Sequence, residues 1–400
     1  MRILLVQTTD WLKRFPAQQH HLMELLSLRG HEIRVIDFEL LWRDESNNRL
    51  LSKKRIISDY SKIYKGAKAT IIRPPFIKLP ILDYLSIFIS DTIEIERQIK
   101  EFKPEIIVSF GVIAFIAGLA AKKNGLPFVY YWIDVTHRLI PVKAFQPIGW
   151  AFEKMALKLA DVILTINLKL KDYVVEMGAD PDKTIVLGAG IDLARFNTSI
   201  DGKTVRDLYG IGKDDLVLFF MGWLYNFSGL KEVAMEICKK DEDRLKLLII
   251  GDGDLYDELK RIKEVFDGQN KIILAGRKSY TEIPSLIASA DVCLLPSYAN
   301  EKIMHDIVPI KLYEYMAMGK PVLSSKLPGV MKEFGYNSGI IYIDRPDEVI
   351  LKSIELASNG DLKRLGKKAR SFAKKYNWEN ITNEFEHILE SLVQRKLDQL

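Results

Sequence analysis

Short apolar runs rich in β-branched residues alternate with longer segments of helical period along this chain, and the alternation restarts past its middle. Residues 2–6, 32–37, 105–109, 127–132 and 162–166 read as buried strands, with helices at 17–29, 84–101, 112–123, 149–159 and 168–177. The second series places strands near 216–221, 245–250, 271–275, 291–295 and 321–324, and helices near 229–239, 254–265, 281–289 and 310–318. Such alternation builds parallel sheets with helices on both faces. The expected fold is α/β: two doubly wound, Rossmann-like domains facing a central cleft at the carboxyl ends of their strands, where such sheets bind ligands. The first domain is expected over 1–196, a polar, glycine-bearing linker over 197–213, the second domain over 214–376 and a terminal helix over 377–400. In that helix Ile381, Phe385, Ile388 and Leu392 recur with a period near 3.6, so one face needs cover. The expectation is that it packs back across the junction between the domains.

Composition narrows the class. With 400 residues the chain is too long for one core, and 48% hydrophobic with 28% charged residues excludes a mostly disordered or multi-span membrane protein. The longest uncharged run, Ile106 to Ala121, is 16 residues, short of the roughly 20 needed to cross a bilayer. The apolar start turns polar at Gln7, too early for an export signal. Cys238 and Cys293 sit inside apolar runs and read as packing in a reducing compartment. The expected place is the cytoplasm, with a peripheral position on the inner face of the plasma membrane as a variant. The six histidines show no ligand spacing, so no structural metal is expected.

The net charge of +5 arises in the first half, where 28 Lys and Arg stand against 22 Asp and Glu; the second half holds 30 against 31. Residues 53–81 interleave Lys53, Lys54, Arg55, Lys62, Lys65, Lys68, Arg73 and Lys78 with Ile71, Ile72, Phe76, Ile77 and Leu79. That pattern suits an anionic bilayer, and it also suits a strand with its turn. It matches no recognisable nucleic-acid module.

The stretch from Asp291 to Val322 carries the most chemistry. A buried strand ends at Pro296-Ser297, a polar loop follows, and Pro309 stands where a helix would begin. Lys311 and Glu314 then fall within a turn of the helix start, an anion site by its exposed N–H groups and dipole. Lys311 would meet a phosphate and Glu314 a vicinal diol such as ribose. Asp306 stands eight residues before Glu314.

Asp306 and Glu314 at this spacing, followed by Tyr315-Met316-Ala317-Met318-Gly319-Lys320-Pro321-Val322, resemble the signature of the retaining GT-B glycosyltransferases of family 4. Leu248 to Gly253, Ile273 to Arg277, Arg29 to Ile33, Ala160 to Ile163, Gly190 to Phe196 and Tyr376 to Glu379 resemble further family segments in the right order. The resemblance implies a nucleoside diphosphate sugar as donor (a UDP- or GDP-sugar), an acceptor held by the first domain, and no metal or other cofactor. It places Glu314 on the ribose and Asp306 near the transferred sugar, and extends the nucleotide site to Lys311, Ile310, Arg277, Gly222, Gly251 and Ser297. Asp134 and His137, beyond the strand that ends Tyr130-Tyr131-Trp132, are the first domain's catalytic candidates; a helix cap and a surface loop are their plainer readings. The charge asymmetry and the resemblance together suggest a lipid-phosphate-linked or surface-polysaccharide acceptor.

The chain departs from the family pattern at three places. Asp306 stands where Glu is usual. Trp223 and Ser228 stand where a basic pair meets the diphosphate. Thr8-Thr9-Asp10-Trp11 replaces a glycine pair in the first loop. A catalytically inactive, glycosyltransferase-like scaffold is therefore an alternative, and a nucleotide-sugar epimerase on the same fold a weaker one.

Overall fold

The computed structural model describes every residue except 14–15, 41, 43–49, 81, 141, 302, 307 and 399–400, and gives the backbone alone at 303 and 306. The chain divides into two units. The first comprises Met1–Ala189 with Trp378–Leu400, the second Gly190–Asn377.

The strands of the first unit are β1 (Arg2–Gln7), β2 (Glu32–Asp37), β3 (Arg55–Tyr60), β4 (Ala69–Arg73), β5 (Ile106–Phe110), β6 (Phe128–Trp132), β7 (Val162–Thr165) and β8 (Thr184–Val186). They form one sheet in the order β3-β4-β2-β1-β5-β6-β7-β8, parallel throughout except for β3 against β4. Its helices are α1 (Gln18–Leu28), α2 (Leu82–Glu101), α3 (Ala114–Lys123), α4 (Gln146–Leu159) and α5 (Leu168–Glu176). Alternate strand residues serve opposite faces. Ile3, Leu5, Val35 and Val108 meet α1, while Leu4, Val6, Ile107 and Ile163 meet α2 to α5.

The second unit holds α6 (Lys203–Leu208), β9 (Leu216–Met221), α7 (Leu230–Lys239), β10 (Leu245–Ile250), α8 (Tyr256–Phe266), β11 (Ile272–Leu274), α9 (Ile283–Ala288), β12 (Val292–Leu295), α10 (Ile303–Asp306), α11 (Ile310–Ala317), β13 (Val322–Ser325), α12 (Pro328–Phe334), β14 (Ile340–Ile343), α13 (Glu348–Ser358) and α14 (Leu362–Ala373). Its six strands are parallel, ordered β11-β10-β9-β12-β13-β14. The order reverses between β9 and β12, so the loops leaving these two strands diverge and open a crevice at the sheet's carboxyl edge.

The last helix, α15 (Trp378–Leu397), belongs to the first unit. Ile381, Phe385 and Leu389 are buried on the sheet face that α1 covers, and the Trp378 indole stacks on His21 with ring centroids 4.1 Å apart.

Three expectations change. Residues 197–213 are not a free linker: Arg206 of α6 donates to the Ser289 carbonyl and pairs with Asp291 at 2.8 Å, so this stretch packs into the second unit. Residues 190–196 belong to that unit too, because Ile191 N–H donates to the Tyr376 carbonyl at 2.6 Å. The basic stretch 53–81 is internal in part: Arg73 is buried, while Lys53, Arg55, Lys65 and Lys68 are exposed. Ile71 and Ile72 are buried in β4, Lys54 pairs with Glu94 at 2.8 Å, and the Lys62 ammonium donates to the Trp11 carbonyl at 2.6 Å.

Arg73 anchors a buried ion network that explains the unusual first loop. Its guanidinium donates to Asp37 at 2.8 Å, to Glu39 at 3.3 Å and to Asp10. Asp37 also accepts from the Trp11 N–H at 2.8 Å and from Gln7 at 2.6 Å. Burial pushes the Asp37 carboxyl up to about 6 although Arg73 pulls it down. Asp10 reaches the network through a left-handed backbone, φ 59°, with Trp11 fully buried beside it. The residues in place of a glycine pair are thus framework.

Candidate functional site

The crevice between β9 and β12 is built on locked backbone. Gly222 N–H donates to the Ile250 carbonyl, Gly251 N–H to the Gly276 carbonyl, and Leu224 N–H to the Asp252 carbonyl, all at 2.9–3.0 Å. The three turns after β9, β10 and β11 therefore move as one. Glycine is required at the crossing: Gly251 has φ +138°, and a Cβ there would lie 1.9 Å from the Gly222 carbonyl oxygen.

From the other side of the crevice comes α11. Pro309 leads into it and Ile310 opens it, half-exposed. The Lys311 side chain reaches across to β9. Its ammonium stands 4.1 Å from the Phe220 ring centroid and would lie 2.9 Å from a Cβ placed on Gly222. Burial lowers its pKa to about 8, against the upward pull of Glu314. Glu314, one turn on, is buried, and the Tyr280 hydroxyl donates to its Oε1 at 2.9 Å. Burial raises this carboxyl to about 7, although Tyr280, Lys311 and Arg195 all favour the anion. A carboxyl and an ammonium thus lie together at the start of a helix, both displaced toward neutrality by burial alone.

Ser297 is buried immediately past β12, and Gly222 and Gly251 form the crossing turns. Arg277 is exposed at the rim, paired with Asp252 at 3.2 Å and lying over the Trp223 ring. Trp223 and Tyr225 are 45% and 46% exposed, so these aromatics are surface and not core. Asp306 closes the short helix α10, and its side chain lies outside the described residues.

The first-domain candidates part company. Asp134 is exposed just past β6. His137 is neither a loop surface residue nor a group presented at the strand end. Its buried ring binds Glu153 through Nδ1 and lies 3.4 Å from the Tyr173 hydroxyl at Nε2. That arrangement fastens α4 to the segment after β6.

Sequence reasoning missed Tyr280 and Arg195. The guanidinium of Arg195 lies 4.9 Å over the Tyr280 ring, which holds the phenol that binds Glu314. Arg195 lies inside the quoted Gly190–Phe196 segment and could have been singled out there; Tyr280 carried no local signal. Among the described residues, His31, Glu386 and Glu390 are close enough to share a cation, but Arg29 already pairs with Glu386 in that first-unit cluster.

Comparison with known proteins supplies the family. The family model for "Glycosyl transferases group 1" matches residues 203–376, and that for "Glycosyltransferase Family 4" matches residues 19–195. The chain belongs to the family 4 glycosyltransferases of GT-B fold. An uncharacterised glycosyltransferase of Methanocaldococcus jannaschii is 25% identical over 231 residues, 56% of this chain and 58% of that one. The amylovoran biosynthesis glycosyltransferase AmsK of Erwinia amylovora is 29% identical over 180 residues, 44% of this chain and 42% of that one. The matches span about half the length of such relatives. The HepE protein of Anabaena, solved in complex with UDP, superposes with a TM-score of 0.71 at 15% identity, covering 98% of this chain and 100% of that one. The two parallel-sheet units match the expected α/β architecture.

Proposed function

We propose that this glycosyltransferase transfers a sugar, with retention of anomeric configuration, from a nucleoside diphosphate sugar to an acceptor carried by the first unit. The observation that carries the reading is partly buried Lys311 beside buried Glu314 at the start of α11, with the Lys311 ammonium against the Gly222 turn. A carboxylate that already accepts one bond at Oε1 has Oε2 for a ribose diol. The ammonium meets the diphosphate at the place where the basic pair usual in the family is replaced by Trp223 and Ser228. HepE is solved with UDP and with UDP-glucose, which supports a donor of this class.

The N–H groups opening α11 add fixed positive potential, so the leaving diphosphate is neutralised without calling on a metal. Asp306 is assigned to the transferred sugar by its spacing from Glu314. Asp134 stays the first unit's candidate for sugar or acceptor; the proposal leaves His137 a positioning role through Glu153. The acceptor we propose is lipid-linked or a surface-polysaccharide precursor, and the relative named for amylovoran biosynthesis supports a biosynthetic role of this kind.

The test is calorimetric titration with UDP, GDP, ADP and dTDP of the native chain and of Glu314→Ala. One nucleotide is expected to bind in the micromolar range, and the substitution to weaken it by about 10-fold or more, the size of a lost hydrogen bond to a charge. Absence of any nucleotide binding would sink the reading and leave the scaffold alternative.

A further inference from the structure

Helix α2 buries Ile87 and Ile95 but is mixed on both faces. Its carboxylates Asp83, Asp91 and Glu94 and its amide Gln98 are buried, whereas Leu85, Ile89 and Ile93 are 56–66% exposed. Three of the four inner polar groups have partners: Lys54 pairs with Glu94, the Trp42 indole donates to Asp83, and Arg34 donates to Gln98 at 2.7 Å. Nothing comparable accounts for the outer stripe. Leu82, Leu85, Ile89 and Ile93 follow helical spacing, and between residues 82 and 93 no exposed position of α2 carries a charge.

The stripe continues across two neighbouring helices. Phe88 of α2, Phe115 of α3 and Phe152 of α4 touch one another, with ring centroids 4.3–5.6 Å apart, and fix the three helices as one layer. Between α2 and α3 runs an apolar groove of about 500 Å³, walled by Ile89, Ile93, Phe115 and Leu119. Leu139, Val142 and Phe145 are exposed in the segment that leads into α4, and Ile148 and Trp150 in its first turns. An exposed apolar area of this extent is unusual on a chain that works alone in water.

Charge identifies the occupant. At the end of α2, Glu96 and Glu101 balance Arg97 and Lys100, and Glu96 pairs with Lys123 at 2.7 Å on the groove. From residue 106 to 160 the basic residues are Lys122, Lys123, Arg138, Lys143, Lys154 and Lys158, against the acids Asp134 and Glu153. Glu153 is buried on His137. This excess of cations along the helices that carry the apolar face, with Trp150 beneath the Lys154 ammonium, matches a surface of anionic headgroups over acyl chains.

We infer that the outer face of α2, α3 and the start of α4 docks on an anionic lipid bilayer. This face is proposed in addition to residues 53–81, where Lys54, Lys62 and Arg73 are committed internally while Lys53, Lys65 and Lys68 stay exposed. The inference gives a place to the lipid-linked acceptor proposed above, on which its biological sense rests, but its test is separate.

The experiment is co-sedimentation with phosphatidylcholine vesicles, with and without phosphatidylglycerol, for the native chain, for Leu85→Glu/Ile89→Glu and for Phe145→Ser/Trp150→Ser. The native chain is expected to sediment with the anionic vesicles only, less so as salt rises, and each double variant to partition at least about 10-fold less. Nucleotide binding and the unfolding midpoint of each variant verify that it is folded. Equal partitioning of folded variants and native chain overturns the inference, as does a native chain that ignores both vesicle types. A dimer by light scattering that the substitutions dissociate, without vesicle binding, overturns it in favour of a second copy. Loss of nucleotide binding with vesicle binding intact would instead sink the transferase reading alone.

Discussion

Glu314 and Lys311 are both displaced toward neutrality by burial, in opposite directions, and that has a measurable consequence. A diol donates hydrogen bonds to a carboxylate, so ribose binding favours ionised Glu314; diphosphate favours protonated Lys311. With Glu314 at about 7 and Lys311 at about 8 in the unliganded protein, UDP affinity should peak between these values. It should fall by up to about 10-fold per pH unit on either side. Calorimetry from pH 5.5 to 9.5 checks this. Glu314→Gln should flatten the acid limb and Lys311→Met the alkaline limb; titration of the phosphate itself is common to every variant and cancels in the comparison. Glu314 was legible in the sequence because its spacing from Asp306 and its place at a helix start coincide. Tyr280 was not, since nothing local marks a tyrosine that reaches across a fold to a carboxylate.

At the scale of elements, the turn after β9 is held by contacts that a single methyl group would break. Gly229, the left-handed residue before α7, has φ +71°, and a Cβ there would lie 2.0 Å from the Pro296 carbonyl oxygen. Backbone meets backbone, so neither side can yield cheaply. Gly229→Ala should lower stability by about 2 kcal/mol or more. It should also weaken UDP binding by displacing the loop that ends β12; urea unfolding and the same titration measure both. Sequence periodicity located most elements, α2 and α15 among them. It located α2 without its orientation, because period alone does not say which face turns inward; buried Asp83 and Glu94 depend on Lys54 and Trp42, distant in sequence. It passed over β3 and offered a strand around β4 only as one of two readings, because Arg55 and Arg73, with the lysines around them, resemble a surface patch until Arg73 is seen among Asp10, Asp37 and Glu39.

At the scale of the whole molecule, the boundary read from composition lay too far along the chain. A polar, glycine-bearing stretch looks like a tether, yet Gly202 rests against the Ser289 backbone and Arg206 is bonded on several sides. The second unit is therefore complete from Gly190 to Asn377. Residues 190–377 expressed alone should fold cooperatively and bind UDP within about 3-fold of the full chain. Thermal unfolding and calorimetry on that fragment decide it; an unfolded fragment would show that its stability is borrowed.

The entry and exit of that unit are joined by the hydrogen bond from Ile191 to Tyr376, and the chain returns afterwards to lay Trp378, Phe385 and Leu389 on the first sheet. During synthesis the whole of the second unit is thus made before the first unit's closing helix. The part begun first is finished last, and until α15 emerges the sheet surface it covers must wait, open to whatever chaperone or stray apolar segment arrives before it.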